Sequence, residues 1–195
     1  MLPRYAVKLP YVLPTPESFD PGRPEAWPKV EGRIEFVEGR LLYMPPCGDE
    51  QQGVAVDVVT ELNLWRRDHA QFFVGANEAG MMLGGDVRGA DAAVWRATEV
   101  RPFTGGFPRK PPVLAVEVAG KDDTLEMLAD KAEWYLRKGV EVVWVVIPAE
   151  RTVRVITRAG MTEHGQDDRL PGHPALPGLT PEVADFFRQL PERRI

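Results

Sequence analysis

Along this chain the spacing of apolar positions changes several times, and each change predicts an element. From Arg33 to Met44, two runs alternate polar and apolar residues around Glu38-Gly39, a pair suited to a tight turn. This predicts a β-hairpin that ends at Pro45 and Pro46, since proline cannot donate to a strand ladder. The period then lengthens. Val54, Val58, Leu62 and Trp65 recur at spacings of four, four and three, which predicts a helix over 51–69. Strand-like runs return at 71–75 and 79–83, read as two short strands joined across Asn77, and at Ala90 to Trp95.

A loop-like stretch over 96–112 carries Gly105, Gly106, Pro108, Pro111 and Pro112. Val113 to Val118 is then an almost continuous apolar run, the signature of a strand buried on both faces. Residues 123–138 predict a helix, with Asp122, Asp123 or Thr124 as its N-cap and Gly139 at its C-terminal turn. Glu141 to Ile147 and Val153 to Thr157 predict two more buried strands. The strand–helix–strand order over 113–147 is a βαβ unit, so its strands should be parallel and adjacent or nearly so. The Pro-rich tail from 171 holds a short helix near 181–189.

Residues 1–30 hold Pro3, Pro10, Pro14, Pro16, Pro21, Pro24 and Pro28, which predicts an extended arm preceding one domain over 31–195. Val7, Leu9, Tyr11, Val12 and Leu13 in that arm need a surface to cover. That surface is either the same domain or a second copy in a homo-oligomer.

Composition narrows the class. A chain of 195 residues with 44% hydrophobic and 27% charged residues fits one globular domain. No run approaches the roughly 18 apolar residues of a membrane span, and Met1 to Tyr5 lacks the apolar core of a secretory signal. Cys47 is the only cysteine, which suits a reducing compartment, so a cytoplasmic location without membrane attachment is expected. The net charge of −5 argues against broad coating of DNA, but it leaves room for a local basic groove or a carboxylate-rich pocket. Arg66-Arg67, Arg101, Arg109-Lys110 and Arg137-Lys138 either form a phosphate-facing rim or are simply solvated. No glycine loop for a nucleotide and no nucleophile elbow are present, and His69, His164 and His173 show no paired metal spacing.

A few residues carry candidate chemistry. Glu117 interrupts an apolar strand, and a buried carboxylate needs a cation, a hydrogen bond or a metal. It is either a metal ligand or a strand-end acid paired with Lys121. Asp91 opens another apolar strand and alone reads more readily as a turn residue. Together the two offer hard oxygen ligands suited to Mg²⁺ or Mn²⁺. Lys131 borders the apolar face formed by Leu125, Leu128, Ala132 and Leu136, from which it can reach the strand end. Its alternative is an exposed helix lysine paired with neighbouring acids, and Lys121, four residues after Glu117, is a rival for the lysine role. Glu61, inside the first-helix stripe, either faces the site or reaches solvent or an arginine.

These residues and their surroundings resemble a known family. Arg33 to Leu41, Gly89-Ala90-Asp91, Pro111 to Val118, Asp130-Lys131 with Tyr135, Gly139-Val140 and Val143 to Val146 are similar in order and spacing to the Uma-two family. That family of prokaryotic proteins is placed in the PD-(D/E)XK restriction-endonuclease-like superfamily. The resemblance runs from about Glu31 to about Thr157. It implies an α/β fold with a mixed β-sheet flanked by helices. It also implies Asp91 and Glu117 as metal-binding acids, Lys131 as a catalytic lysine moved from the strand to the next helix, and Glu35 as a further residue near the pocket. The chain departs from the pattern at Ala119, where the superfamily has its lysine, at Ala90, where the family has proline, and at Gln51-Gln52, where many members have histidine.

The function expected is Mg²⁺- or Mn²⁺-dependent hydrolysis of phosphodiester bonds, with DNA as the partner. The alternative is a catalytically inactive nuclease-like module that binds nucleic acid or a protein, or forms a homo-oligomer. A third option, an enzyme acting on a small phosphorylated molecule, has no motif behind it.

Overall fold

The computed structural model describes residues 9–192. Its strands are β1 (Tyr11–Leu13), β2 (Arg33–Val37), β3 (Arg40–Met44), β4 (Phe72–Leu83), β5 (Asp86–Arg96), β6 (Leu114–Val118), β7 (Val142–Ile147), β8 (Thr152–Thr157) and β9 (Gly160–His164). Three α-helices intervene: α1 (Asp49–Arg66), the short α2 (Ala97–Val100) and α3 (Leu125–Arg137). The nine strands form one mixed sheet in the order β1-β3-β2-β5-β6-β7-β8-β9, with β4 paired to β5. This is the α/β arrangement of sheet and flanking helices expected from the sequence.

Local chemistry accounts for most elements. The β2–β3 hairpin turns at Glu38 and Gly39, both at positive φ, as a tight two-residue turn requires. In α3 the Thr124 side chain caps the first turn by accepting from the Met127 N–H at 3.2 Å. Gly139, at φ 99°, ends the same helix. The βαβ prediction holds: β6 and β7 are parallel neighbours, from Leu114 opposite Val142 to Val118 opposite Val146.

Two expectations are corrected. The separate strands at 71–75 and 79–83 are one strand, β4, whose register shifts between Ala76 and Ala79. Asn77 and Glu78 adopt positive φ there, so they form a bulge and not a connection. The tail helix is a short 3₁₀ turn over Val183–Phe187. The described part of the Pro-rich arm packs on its own domain, with Tyr11, Val12 and Leu13 opposite Tyr43, Leu42 and Leu41. Val7 lies outside the described residues.

The sheet separates two cores. Val54, Val58 and Leu62 of α1 and Phe186 and Phe187 of the tail cover one face, against Val116, Val118, Trp144 and Val146. Leu128, Ala132 and Tyr135 of α3 cover the other, against Ala93, Ala115, Val143 and Val145. Side chains alternate along a strand, so Asp91 and Glu117 share the α3 face with Ala93 and Ala115.

Candidate active site

The candidate site lies where two strands divide one edge of β5. One edge of β5 pairs with β4 along nearly its whole length. The other edge meets β2 at Val87 and β6 at Ala92 to Val94. Between these pairings, over residues 88–91, β2 and β6 fork apart, and site side chains take over from the missing ladder bonds. Glu35 Oε1 accepts from the Gly89 N–H at 3.2 Å, and Lys131 Nζ donates to the Gly89 carbonyl at 2.9 Å. On the opposite arm, Asp91 Oδ2 accepts from the Val118 N–H at 2.7 Å, and Gln51 Nε2 donates to the Val118 carbonyl at 2.9 Å.

Asp91, Glu117, Lys131 and Glu35 all lie in this fork. Lys131 Nζ lies 2.8 Å from Glu117 Oε2 and 3.2 Å from Glu35 Oε1. Asp91 and Glu117 are the next residues beyond Ala92–Val116, the pair at which the β5–β6 ladder ends. The charge of Asp91 helps to raise the Glu117 carboxyl, which marks the two acids as neighbours on one face. Lys121 is exposed in the turn after β6, and the partner of Glu117 is Lys131. Glu61 is elsewhere: it pairs with Arg188 Nη1 at 2.9 Å on the α1 side of the sheet. Three of the basic residues considered for a rim have local partners instead. Arg66 donates to the Phe72 carbonyl, Arg137 pairs with Glu133, and Lys138 pairs with Asp86.

Several participants escaped the sequence reading. Tyr135, which the resemblance includes without a role, is one helical turn beyond Lys131, and its hydroxyl donates to Glu117 Oε1 at 2.6 Å. Arg88 Nε binds Glu35 Oε2 at 3.0 Å. Arg33 Nη1 lies 3.3 Å from Glu78 Oε1 and 3.6 Å from Asp91 Oδ1. Alternation with Glu35 on β2 was the available signal for Arg33. For Glu78 there was none, because it depends on the bulge in β4.

The electrostatics follow from burial and pairing. Burial pushes the Glu117 carboxyl up to about 7; Lys131 opposes this and Asp91 reinforces it. Burial acts the same way on Glu35, but Lys131 and Arg88 outweigh it and hold that carboxyl below its ordinary range. Burial disfavours the Lys131 ammonium, yet Glu117 and Glu35 outweigh that effect and keep it charged. Tyr135 is raised well above its ordinary value by burial beside the same two acids, so it remains a donor.

A cleft of about 180 Å³ opens onto this network, with Arg33, Glu35, Arg88, Glu117 and Lys131 in its wall. A larger cleft of about 990 Å³, at Phe72, Arg101 and Phe103, has no acid in its lining. Among the described residues, no three His, Cys, Asp or Glu side chains converge as a ready metal cage. Mg²⁺ does not need one, since it commonly takes one or two carboxylates and completes its shell with water and phosphate oxygens. Asp91 and Glu117 fit that requirement: they are adjacent hard donors, and Glu117 is under pressure to be neutralised. Among the described residues no helix is long and apolar enough to cross a membrane.

Comparison with known proteins agrees with the fold and the family. A crystal structure of a "putative nuclease belonging to DUF820" from Anabaena variabilis ATCC 29413 superposes with a TM-score of 0.72 at 17% identity, covering 83% of this chain and 93% of that one. At that identity the likeness establishes the fold. No curated protein matches the chain in sequence. The family model Uma2, described as "Putative restriction endonuclease", matches residues 24–185 and so includes every residue of the fork. The chain therefore belongs to the Uma2 family of nuclease-like proteins.

Proposed function

We propose that this chain is a metal-dependent nuclease that hydrolyses phosphodiester bonds in DNA. The observation that supports this most strongly is the fork itself, where adjacent acids Asp91 and Glu117 meet a charged lysine 2.8 Å from Glu117. In this reading Asp91 and Glu117 hold Mg²⁺ or Mn²⁺, which when bound supplies a Lewis acid for the scissile phosphate and a more acidic water. Lys131 offers N–H donors to the negative charge that grows on the phosphoryl oxygens. Glu35 holds the lysine in place and keeps it protonated, and Arg88 anchors Glu35. Tyr135 fixes the rotamer of Glu117 by donating to one of its oxygens. The cover of α3 keeps bulk water from the inner side of the network, which strengthens each of these interactions.

The test is cleavage of plasmid DNA with Mg²⁺ or Mn²⁺. Nicking that a chelator abolishes is expected. Asp91→Asn and Glu117→Gln should each lose about 100-fold or more. Lys131→Met should lose a comparable factor in cleavage while still responding to the metal.

A second reading, an inactive nuclease-like binding module, is favoured by one feature: Glu35 and Glu117 already have cations of their own in Lys131 and Arg88. Folded protein that binds DNA but cleaves neither DNA nor RNA with any divalent cation would establish that reading.

A further inference from the structure

Arg33 enters the fork from β2 on the same face as Glu35. Its Nη1 reaches both Glu78, at 3.3 Å, and Asp91, at 3.6 Å. The Asp91 contact is longer than a hydrogen bond, so it is electrostatic and loosely held. The Arg33 Nε is buried and has no hydrogen-bond partner. A buried donor without an acceptor is uncommon and costs about 1–3 kcal/mol. The same side chain borders the site cleft and a smaller adjoining one of about 50 Å³ that leads towards Gln51 and Lys121. Glu78 reaches Arg33 only because Asn77 and Glu78 both adopt left-handed backbone conformations, each at φ 58°. Those conformations are unfavourable by about 1–2 kcal/mol per residue, so the surrounding structure must hold the bulge in place.

We infer that Arg33 is a phosphate-binding residue that Asp91 and Glu78 hold beside the acid pair until a divalent cation displaces it from Asp91. The inference rests on the reading that Asp91 and Glu117 take that cation. A cation arriving at Asp91 repels the guanidinium and removes its weaker contact. Glu78, on the far side, keeps Arg33 at the cleft. The planar guanidinium, with an Nε donor still to be satisfied, matches two oxygens of a phosphodiester. Arg33 therefore competes with the metal and cooperates with the DNA.

Two affinities test this without any cleavage: calorimetric titration with Mn²⁺ alone, and fluorescence anisotropy of a short labelled DNA duplex with Ca²⁺. Arg33→Met should bind Mn²⁺ about fivefold tighter or more, the scale of a typical coupling between sites, and bind the duplex about tenfold more weakly. Arg33→Lys keeps the charge and loses the fork, so its Mn²⁺ affinity should stay near wild type while duplex binding still falls. It also carries the test if Arg33→Met fails to fold. Arg88→Met, which removes a cation that contacts Glu35 and not Asp91, should tighten Mn²⁺ less than Arg33→Met. Both affinities unchanged, both falling together, or an equal gain in Arg88→Met would overturn the inference. A wild-type protein that takes no Mn²⁺ would overturn the nuclease reading and this inference with it. Wild type that binds Mn²⁺, beside an unaltered Arg33→Met, removes the inference alone.

Discussion

The two faces of this sheet bury the same strands by different means. On the α1 face, Val116, Val118 and Trp144 meet Val54, Val58 and Phe186 in an apolar core, and the buried carboxylate beside it, Asp57, accepts from Gln189 of the tail. On the α3 face the core begins the same way, with Ala115 and Val143, and ends at Glu117, Lys131, Tyr135 and Glu35. The core of the first face is held mainly by volume and shape. The second needs each buried charge to find a partner, and those partners come from β2, β5, β6 and α3. Stability on the first face should therefore be indifferent to divalent cations and depend less on pH, and stability on the second should depend on both.

The largest expected effect is on the apolar face. Trp144→Ala removes a buried ring that packs on Phe186 with centroids 5.7 Å apart. It should lower unfolding stability by about 3–5 kcal/mol in denaturant titration and leave Mn²⁺ affinity unchanged. A fall in Mn²⁺ affinity would show that the two faces are not separable.

Lys131→Met comes next. It leaves Glu117 and Glu35 without their shared cation, and breaking a buried pair costs about 3–5 kcal/mol when the remaining charge stays ionised. Glu117 can escape by taking a proton, so the loss should be smaller at pH 5 than at pH 8. A loss independent of pH would mean that the acids are not what Lys131 stabilises.

Glu117 itself gives the sign of the pH effect. Its folded-state carboxyl sits at about 7, above its ordinary value of 4.5. Its contribution to stability is complete below 4.5 and declines as pH rises towards 7, because the unfolded chain releases the proton first. The decline amounts to about 3 kcal/mol at 1.36 kcal/mol per unit. Glu35, held low, acts in the opposite sense, so the difference between wild type and Glu117→Gln isolates the one group. The variant should gain on wild type between pH 5 and 8 in thermal melts. Parallel curves would contradict the burial argument.

The smallest effect is expected at Glu61→Gln. Its partner Arg188 is half exposed at the rim of the apolar face, so the change should be within about 1 kcal/mol, with no effect on metal binding or cleavage.

Much of this was legible in the sequence because it is local. The hairpin at Glu38-Gly39, the α1 stripe and the βαβ unit each follow from spacing and a few turn residues. Glu117 stood out because it breaks an apolar run, and Lys131 because it borders the apolar face of α3. The fork was not legible, because no local pattern reveals that β2 and β6 share one edge of β5. Arg33 and Arg88 gain their roles only there. The β4 bulge was misread for a related reason: Asn77-Glu78 has the chemistry of a turn, and only pairing with β5 on both sides keeps it inside a strand. Tyr135 was half read, since its ring is core and only its hydroxyl touches the site. Glu61 was placed by its helix stripe, but that stripe faces the other side of the sheet from α3.

The central claim is that Asp91 and Glu117 share one divalent cation. Thermal melting with and without Mn²⁺, at pH 5 and pH 8, tests it directly in wild type, Asp91→Asn and Glu117→Gln. Mn²⁺ competes with the Glu117 proton, so wild type should be stabilised at pH 8, by about 2.7 kcal/mol at a hundredfold excess over Kd, and much less at pH 5. Both variants should lose the shift at either pH. Equal Mn²⁺ shifts in all three proteins, or none in wild type at pH 8, would contradict the account.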